Sequence, residues 1–134
     1  MLNRRNLIKQ KIISGLLLVS VFGMLFAGKV FAGNIVDKDY GFNYSGDGGD
    51  LYTPYEEKWD YTSSYVYHQG TVGAYIGVYY GYTSYGPHYS VGVGEERYLI
   101  NYIKENGLNI CRLRITPSTH SPIYIYGRWS PDSV

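Results

Sequence analysis

The side chains able to do chemistry are few and far apart. His68, His88 and His120 are separated by gaps of 20 and 32 residues, with none of the short spacing of a local zinc motif. Ser118, His120 and Ser121 place hydroxyls beside an imidazole, yet no carboxylate or oxyanion-hole signature accompanies them, so a loop with local hydrogen bonds is expected. Asp47-Gly48-Gly49-Asp50 offers two carboxylates but lacks the alternating oxygen ligands and distal Glu of a calcium loop. The single cysteine, Cys111, excludes an internal disulfide framework and every multi-cysteine metal centre. No set of residues reads as catalytic, and neither a metal nor a cofactor is expected.

What remains is tyrosine. The 134 residues include 17 Tyr and 17 Gly. Tyrosine presents rigid, amphipathic contact area at small entropy cost, which suits glycans and protein partners. Tyr65, Tyr67, Tyr75, Tyr79, Tyr80, Tyr82 and Tyr85 are the candidates for a surface role, and Tyr75, Tyr79, Tyr82 and Trp129 are the expected binding contacts. The rival reading is that tyrosines, about half of them, make the core of a sheet short of aliphatic side chains.

The first 32 residues read as an address. Arg4, Arg5, Lys9 and Lys11 precede seventeen uncharged positions, 12–28, and Val30-Phe31-Ala32 supplies a cleavage site. This is the order of a cleavable secretory signal, helical in its apolar part, with an uncleaved anchor as the rival reading. Secretion is therefore expected, with no membrane span in the mature chain. Taking Arg4, Arg5, Lys9, Lys11 and Lys29 from the 12 basic residues leaves seven against 11 acidic ones, a net charge of −4 for residues 33–134. A net anion is a poor nucleic-acid binder, because phosphate contacts need Lys and Arg in number. The charge is also segregated: residues 37–60 are acidic, residues 97–128 are basic, and Tyr61–Gly94 carries no Asp, Glu, Lys or Arg. An uncharged run of strands is a candidate for self-association.

The elements that must position these residues are mostly strands. Residues 33–60 read as an acidic, Gly/Tyr-rich lead-in with an edge strand near Tyr40–Tyr44, and residues 61–134 as a Tyr-rich β domain. Thr62–His68 is rich in β-branched and aromatic residues. Val72–Tyr82 alternates, with Ala74, Ile76, Val78 and Tyr80 on one face and Tyr75, Gly77, Tyr79 and Gly81 on the other. His88–Val93 is a third strand. In Asn109–Thr116, Cys111, Leu113 and Ile115 oppose Arg112 and Arg114, which makes Cys111 a buried core thiol; Ile123–Trp129 is the last strand. Glu95–Glu105 shifts to a spacing of four at Leu99/Ile103 and Tyr98/Tyr102, and Asn106-Gly107-Leu108 resembles a glycine-terminated helix end. A short helix over about 95–105 is expected there, with a strand and Asn-Gly turn as the rival. The whole predicts a mainly β fold, a small antiparallel β-sandwich with one short helix.

Val91–Gly107 (VGVGEERYLINYIKENG) and Gly127–Val134 (GRWSPDSV) resemble a family of small secreted Gram-positive proteins catalogued as the domain of unknown function numbered 2712. The resemblance implies secretion and a β-rich domain, and carries over no functional residue. A looser similarity, in composition alone, is to secreted lactococcin-type bacteriocins, small β-sandwiches that act on a cell-wall precursor. The function expected is a secreted, non-enzymatic binding module at the bacterial cell envelope, bacteriocin-like in one form, with a cell-wall component or surface protein as partner. The alternative is a self-associating structural or matrix protein.

Overall fold

The computed structural model describes residues 32–134, and the expected signal segment lies outside the described residues. The chain forms ten strands: β1 (Lys38–Tyr44), β2 (Leu51–Tyr52), β3 (Glu56–Glu57), β4 (Ser64–His68), β5 (Ala74–Tyr80), β6 (Thr83–Ser84), β7 (Tyr89–Val91), β8 (Glu95–Leu99), β9 (Ile110–Pro117) and β10 (Ile123–Ser130). They make two antiparallel sheets. The first has the order β1-β10-β4-β8; the second runs β2-β9-β5-β6, with β3 also on β9 and β7 also on β5. No helix among the described residues is long and apolar enough to cross a membrane.

Alternation builds the sandwich. From the first sheet, Tyr40, Tyr44, Val66, Leu99, Ile125 and Trp129 point inward; from the second, Ala74, Ile76, Val78, Val91, Cys111, Leu113 and Ile115 meet them in one core. That core is mainly aliphatic. Only Tyr40 and Tyr44 among the tyrosines join it, whereas nine (Tyr55, Tyr61, Tyr75, Tyr80, Tyr82, Tyr98, Tyr102, Tyr124 and Tyr126) are exposed. The reading in which tyrosines make the core therefore fails, because the strands carry enough Val, Ile and Leu at inward positions. Cys111 is fully buried, and burial pushes its thiol up to about 12, as a core thiol requires.

Residues 33–60 do not stand apart as a lead-in. They supply β1, β2 and β3, and β1 pairs with β10 over seven positions, from Lys38↔Trp129 to Tyr44↔Ile123. Every strand and core residue described lies within Gly33–Val134, which is one compact unit.

The helix expected over 95–105 is not formed. Glu95–Leu99 is strand β8, paired with β4 from His68↔Glu95 to Ser64↔Leu99. A single 3-10 turn, Lys104–Asn106, follows. Eleven residues make a marginal helix, whereas β4 offers five ladder positions to satisfy. On the strand, Tyr65 Oη donates to Glu96 Oε1 at 3.0 Å and Arg97 pairs with Glu95 at 3.2 Å. Asn101 then turns the chain by donating to Ser64 Oγ and Leu99 O, both at 3.1 Å. Leu99 and Ile103 are both buried, so strand plus turn meets the same burial demand as the helix. The reading of Asn106-Gly107-Leu108 holds: Gly107 is left-handed at φ 72°, and Leu108 N–H donates to Ile103 O at 3.1 Å.

His68, fully buried at the end of β4, has the tautomer of its neutral ring set by its partners. Its Nε2–H donates to Val72 O at 2.7 Å, so Nδ1 must accept from Tyr40 Oη at 2.8 Å. Burial holds its pKa below the ordinary histidine value against the Val72 contact, and burial raises that of Tyr40. A base whose folded pKa is lowered binds fewer protons folded than unfolded, so its contribution is present at neutral pH. That contribution is lost as the pH falls below the unfolded value of about 6.5. Urea midpoints should therefore fall between pH 7.5 and pH 5, and less so in His68→Gln; equal falls in the two proteins would refute this assignment. At pH 7.5 Tyr40→Phe, which orphans Nδ1, should cost about 1–2 kcal/mol.

Candidate functional site

The outer face of the second sheet gathers the tyrosines with two arginines. Along β9, the inward residues Cys111, Leu113 and Ile115 force Arg112 and Arg114 outward. In register, Tyr79 lies opposite Arg112, Gly77 opposite Arg114 and Tyr75 opposite Thr116 on β5, while β2 sets Tyr52 opposite Arg114.

Arg112 is surrounded by rings. Its guanidinium carbon is 4.3 Å from the centroid of Tyr52, 4.8 Å from Tyr55 and 5.2 Å from Tyr82. Nε and one terminal nitrogen donate to Gly81 O at 3.2 and 2.7 Å, and Gly81 N–H donates to Tyr55 Oη at 2.8 Å. The two-residue turn Gly81-Tyr82 between β5 and β6 is thus held at both of the glycine's peptide groups. Gly81 is at φ 61°, the positive value that a hairpin of this length asks of its first residue. Tyr52 stands edge-on to both Tyr79 and Tyr82, with centroids 6.0 and 5.4 Å away. Among the described residues no carboxylate pairs with Arg112. Each cation–π contact is worth about 0.5–2 kcal/mol, so the guanidinium is held by rings and one carbonyl.

Arg114 is placed differently. It pairs with Asp50 at 3.5 Å, lies 4.7 Å from the Tyr79 centroid, and donates to His88 Nε2 at 3.0 Å. Tyr79 Oη also reaches His88 Nε2, at 2.6 Å. Arginine can only donate, so Nε2 accepts and the proton of the neutral ring sits on Nδ1. Burial and the Arg114 charge both hold His88 below the ordinary histidine value, with Asp50 opposing. Gly77 is what admits the imidazole: a Cβ there would lie 2.6 Å from His88 Cδ2.

The four expected contacts therefore separate. Tyr82 is 82% exposed beside Arg112, and Tyr75 is half exposed farther along β5. Tyr79 faces the same side but is only 3% exposed, because His88 and Arg114 cover it. Trp129 belongs to the other sheet and points into the core. Neither Tyr79 nor Trp129 can touch a partner in the closed domain. Sequence reasoning missed Tyr52, Tyr55 and the role of Arg112; the outward register of Arg112 was readable, but two of its three rings, Tyr52 and Tyr55, come from the Gly/Tyr-rich lead-in, where β2 and β3 were not expected.

The remaining candidates disperse. Asp47 accepts from Gly49 N–H, whereas Asp50 serves Thr116 and Arg114. Ser121 N–H donates to Thr119 Oγ1 in the loop that carries His120. Among the described residues, no three His, Cys, Asp or Glu side chains are placed to hold a metal ion.

No curated protein and no solved structure matches the chain. The strand β8, its following turn and the Trp-Ser-Pro-Asp-Ser terminus fall inside a longer match. Residues 28–133 fit the family described as "Protein of unknown function (DUF2712)", and the chain belongs to that family.

Proposed function

We propose that this chain is a secreted, non-enzymatic binding domain of the bacterial cell envelope, and that the outer face of its second sheet takes an anionic component of the wall. The observation that carries this reading is Arg112, a cation that pairs with no carboxylate among the described residues, fixed among Tyr52, Tyr55 and the exposed ring of Tyr82. Strands and a clamped turn hold these side chains, so little conformational freedom is lost on binding. Both ring nitrogens of His68, and Nε2 of His88, are engaged by internal partners.

Self-association through the uncharged segment has less to build on. Its longer strands β4 and β5 are paired on both sides, its edge strands β6 and β7 are only two and three residues long, and the free edges of the first sheet carry Lys38 and Asp39 on β1 and Glu95, Glu96 and Arg97 on β8.

The test is co-sedimentation of Gly33–Val134 with isolated Gram-positive walls, scored beside a growth-inhibition spot assay. Tyr82→Ala should weaken wall binding about tenfold, the size expected of an aromatic contact near a binding centre, with little change in stability because the ring is exposed. Arg112→Gln should weaken it at least as much, and more at low salt. Binding equal to the parent in both variants would sink the assignment. Inhibition of growth together with binding would select the bacteriocin-like form.

A further inference from the structure

Trp59 is 54% exposed, and both its indole and its backbone are hydrogen-bonded within the domain. Its Nε1–H donates to Glu57 Oε2 at 3.0 Å and its backbone N–H to Asp132 Oδ2 at 2.8 Å. Behind it, Lys58 is fully buried against Asp132, and Lys58 N–H donates to Asn109 O at 2.8 Å, which ties this segment to the chain entering β9. In front of the indole is a shallow pocket of about 390 Å³ lined by Glu57, Trp59, Lys104, Asn109 and Ile110 over Lys58. That volume lies at the low end of the range for small-molecule sites, about 300–1,000 Å³.

The lining defines a ligand. Lys104 Nζ donates to Asn109 Oδ1 at 2.9 Å, which leaves Asn109 Nδ2 as a donor for something outside the protein. Glu57 uses Oε2 on the indole and keeps Oε1 as an acceptor. Glu57 and Lys104 bear opposite charges, and the charge of Lys58 is matched by Asp132, so the pocket is neutral in sum. An anion would meet Glu57 and a cation would meet Lys104. A neutral molecule with an apolar ring face, hydroxyl donors and a carbonyl acceptor satisfies every group: ring C–H on the indole, hydroxyl to Glu57, carbonyl to Asn109 and Lys104, and a methyl on the partly exposed Ile110.

We propose that this pocket binds a neutral saccharide, an N-acetylated hexosamine unit, with Trp59 as its stacking platform. The proposal does not require the wall-binding reading of the tyrosine–arginine face. Gly33–Val134 should be titrated with N,N′-diacetylchitobiose, with glucosamine and glucuronic acid as the cationic and anionic controls, following tryptophan fluorescence and heteronuclear NMR shifts. Saturable binding of the acetylated sugar is expected, with NMR shifts at Glu57, Trp59, Lys104 and Asn109. It should weaken at least tenfold in Trp59→Ala and Glu57→Gln and be unchanged in Tyr82→Ala. Trp59→Ala keeps the backbone N–H that Asp132 accepts, and emission from buried Trp129 reports whether the variant is folded. No saturation by the acetylated sugar, equal binding by a charged control, or full binding in folded Trp59→Ala would each overturn the proposal.

Discussion

Asp132→Ala should remove about 3–5 kcal/mol of folding stability at pH 7, because it strands a buried ammonium. Lys58 and Asp132 are both fully buried, and Lys58 Nζ lies 2.7 Å from Asp132 Oδ1. Nζ spends its other donors on Thr62 O at 2.6 Å and Pro131 O at 2.9 Å. Asp132 accepts in turn from the N–H groups of Asn34 and Trp59, each at 2.8 Å. Three acceptors solvate the ammonium and backbone donors solvate the carboxylate, so both charges are kept. Burying such a pair is costly, and an apolar pair of equal volume often replaces it without loss. Here the replacement should fail. The peptide groups of residues 34, 59 and 62 depend on the pair, whereas Pro131 O keeps the Ser64 hydroxyl, and Lys58→Met/Asp132→Leu would orphan those three, at about 1–3 kcal/mol for each one left buried and unpaired. Urea denaturation of the three proteins measures this. A double variant as stable as the parent would show that the pair is not what organises this end of the domain.

The same site sets a second pH window. Burial would raise the Asp132 carboxyl, but hydrogen bonds from Lys58, Trp59 and Asn34 outweigh it and hold the group below its ordinary value. A carboxyl lowered in this way stabilises the fold above its unfolded value of about 3.9 and loses that contribution as the pH falls through the folded one. The acid limb of unfolding should therefore lie below pH 4 and be blunted in Asp132→Ala, apart from the histidine limb nearer neutrality.

Neither partner of that pair was legible as such. Lys58 and Asp132 are 74 positions apart, and each reads as a solvated charge in a polar segment. Strands with clean alternation were legible: Cys111, Leu113 and Ile115 of β9 are all fully buried, as are Ile76 and Val78 of β5. The two-residue strands β2 and β3 are too short to show a period, and for that reason the rings of Tyr52 and Tyr55 could not be placed beside Arg112. At 95–105 the apolar spacing served strand-plus-turn as well as helix, and the unpaired side of β4 decided between them. Outward parity was right for both Tyr75 and Tyr79, but parity does not say what lies on top. The loop that lays His88 over Gly77 covers Tyr79 and leaves Tyr75 open.

Trp129→Ala should cost about 3–5 kcal/mol, as a large-to-small change in a core does, and should leave wall binding per folded molecule unchanged. Trp129 is 1% exposed on β10, which lies between β1 and β4, and it stands opposite Lys38 on one side and Val66 on the other. Its parity with Ile125 placed it inward, and that signal was present in IYIYGRW; the pull of a tryptophan toward binding roles obscured it. The domain thus divides its two tryptophans between packing and surface, with Trp59 outside and Trp129 inside. Trp129→Phe, which keeps a ring in the cavity, should recover most of the loss. Denaturation separates the possibilities: a Trp129→Ala protein within 1 kcal/mol of the parent would mean that the sandwich closes without this ring. If that stable variant had also lost wall binding, Trp129 would have to become accessible in solution, and the inner face, not the tyrosine–arginine face, would be where the partner is met.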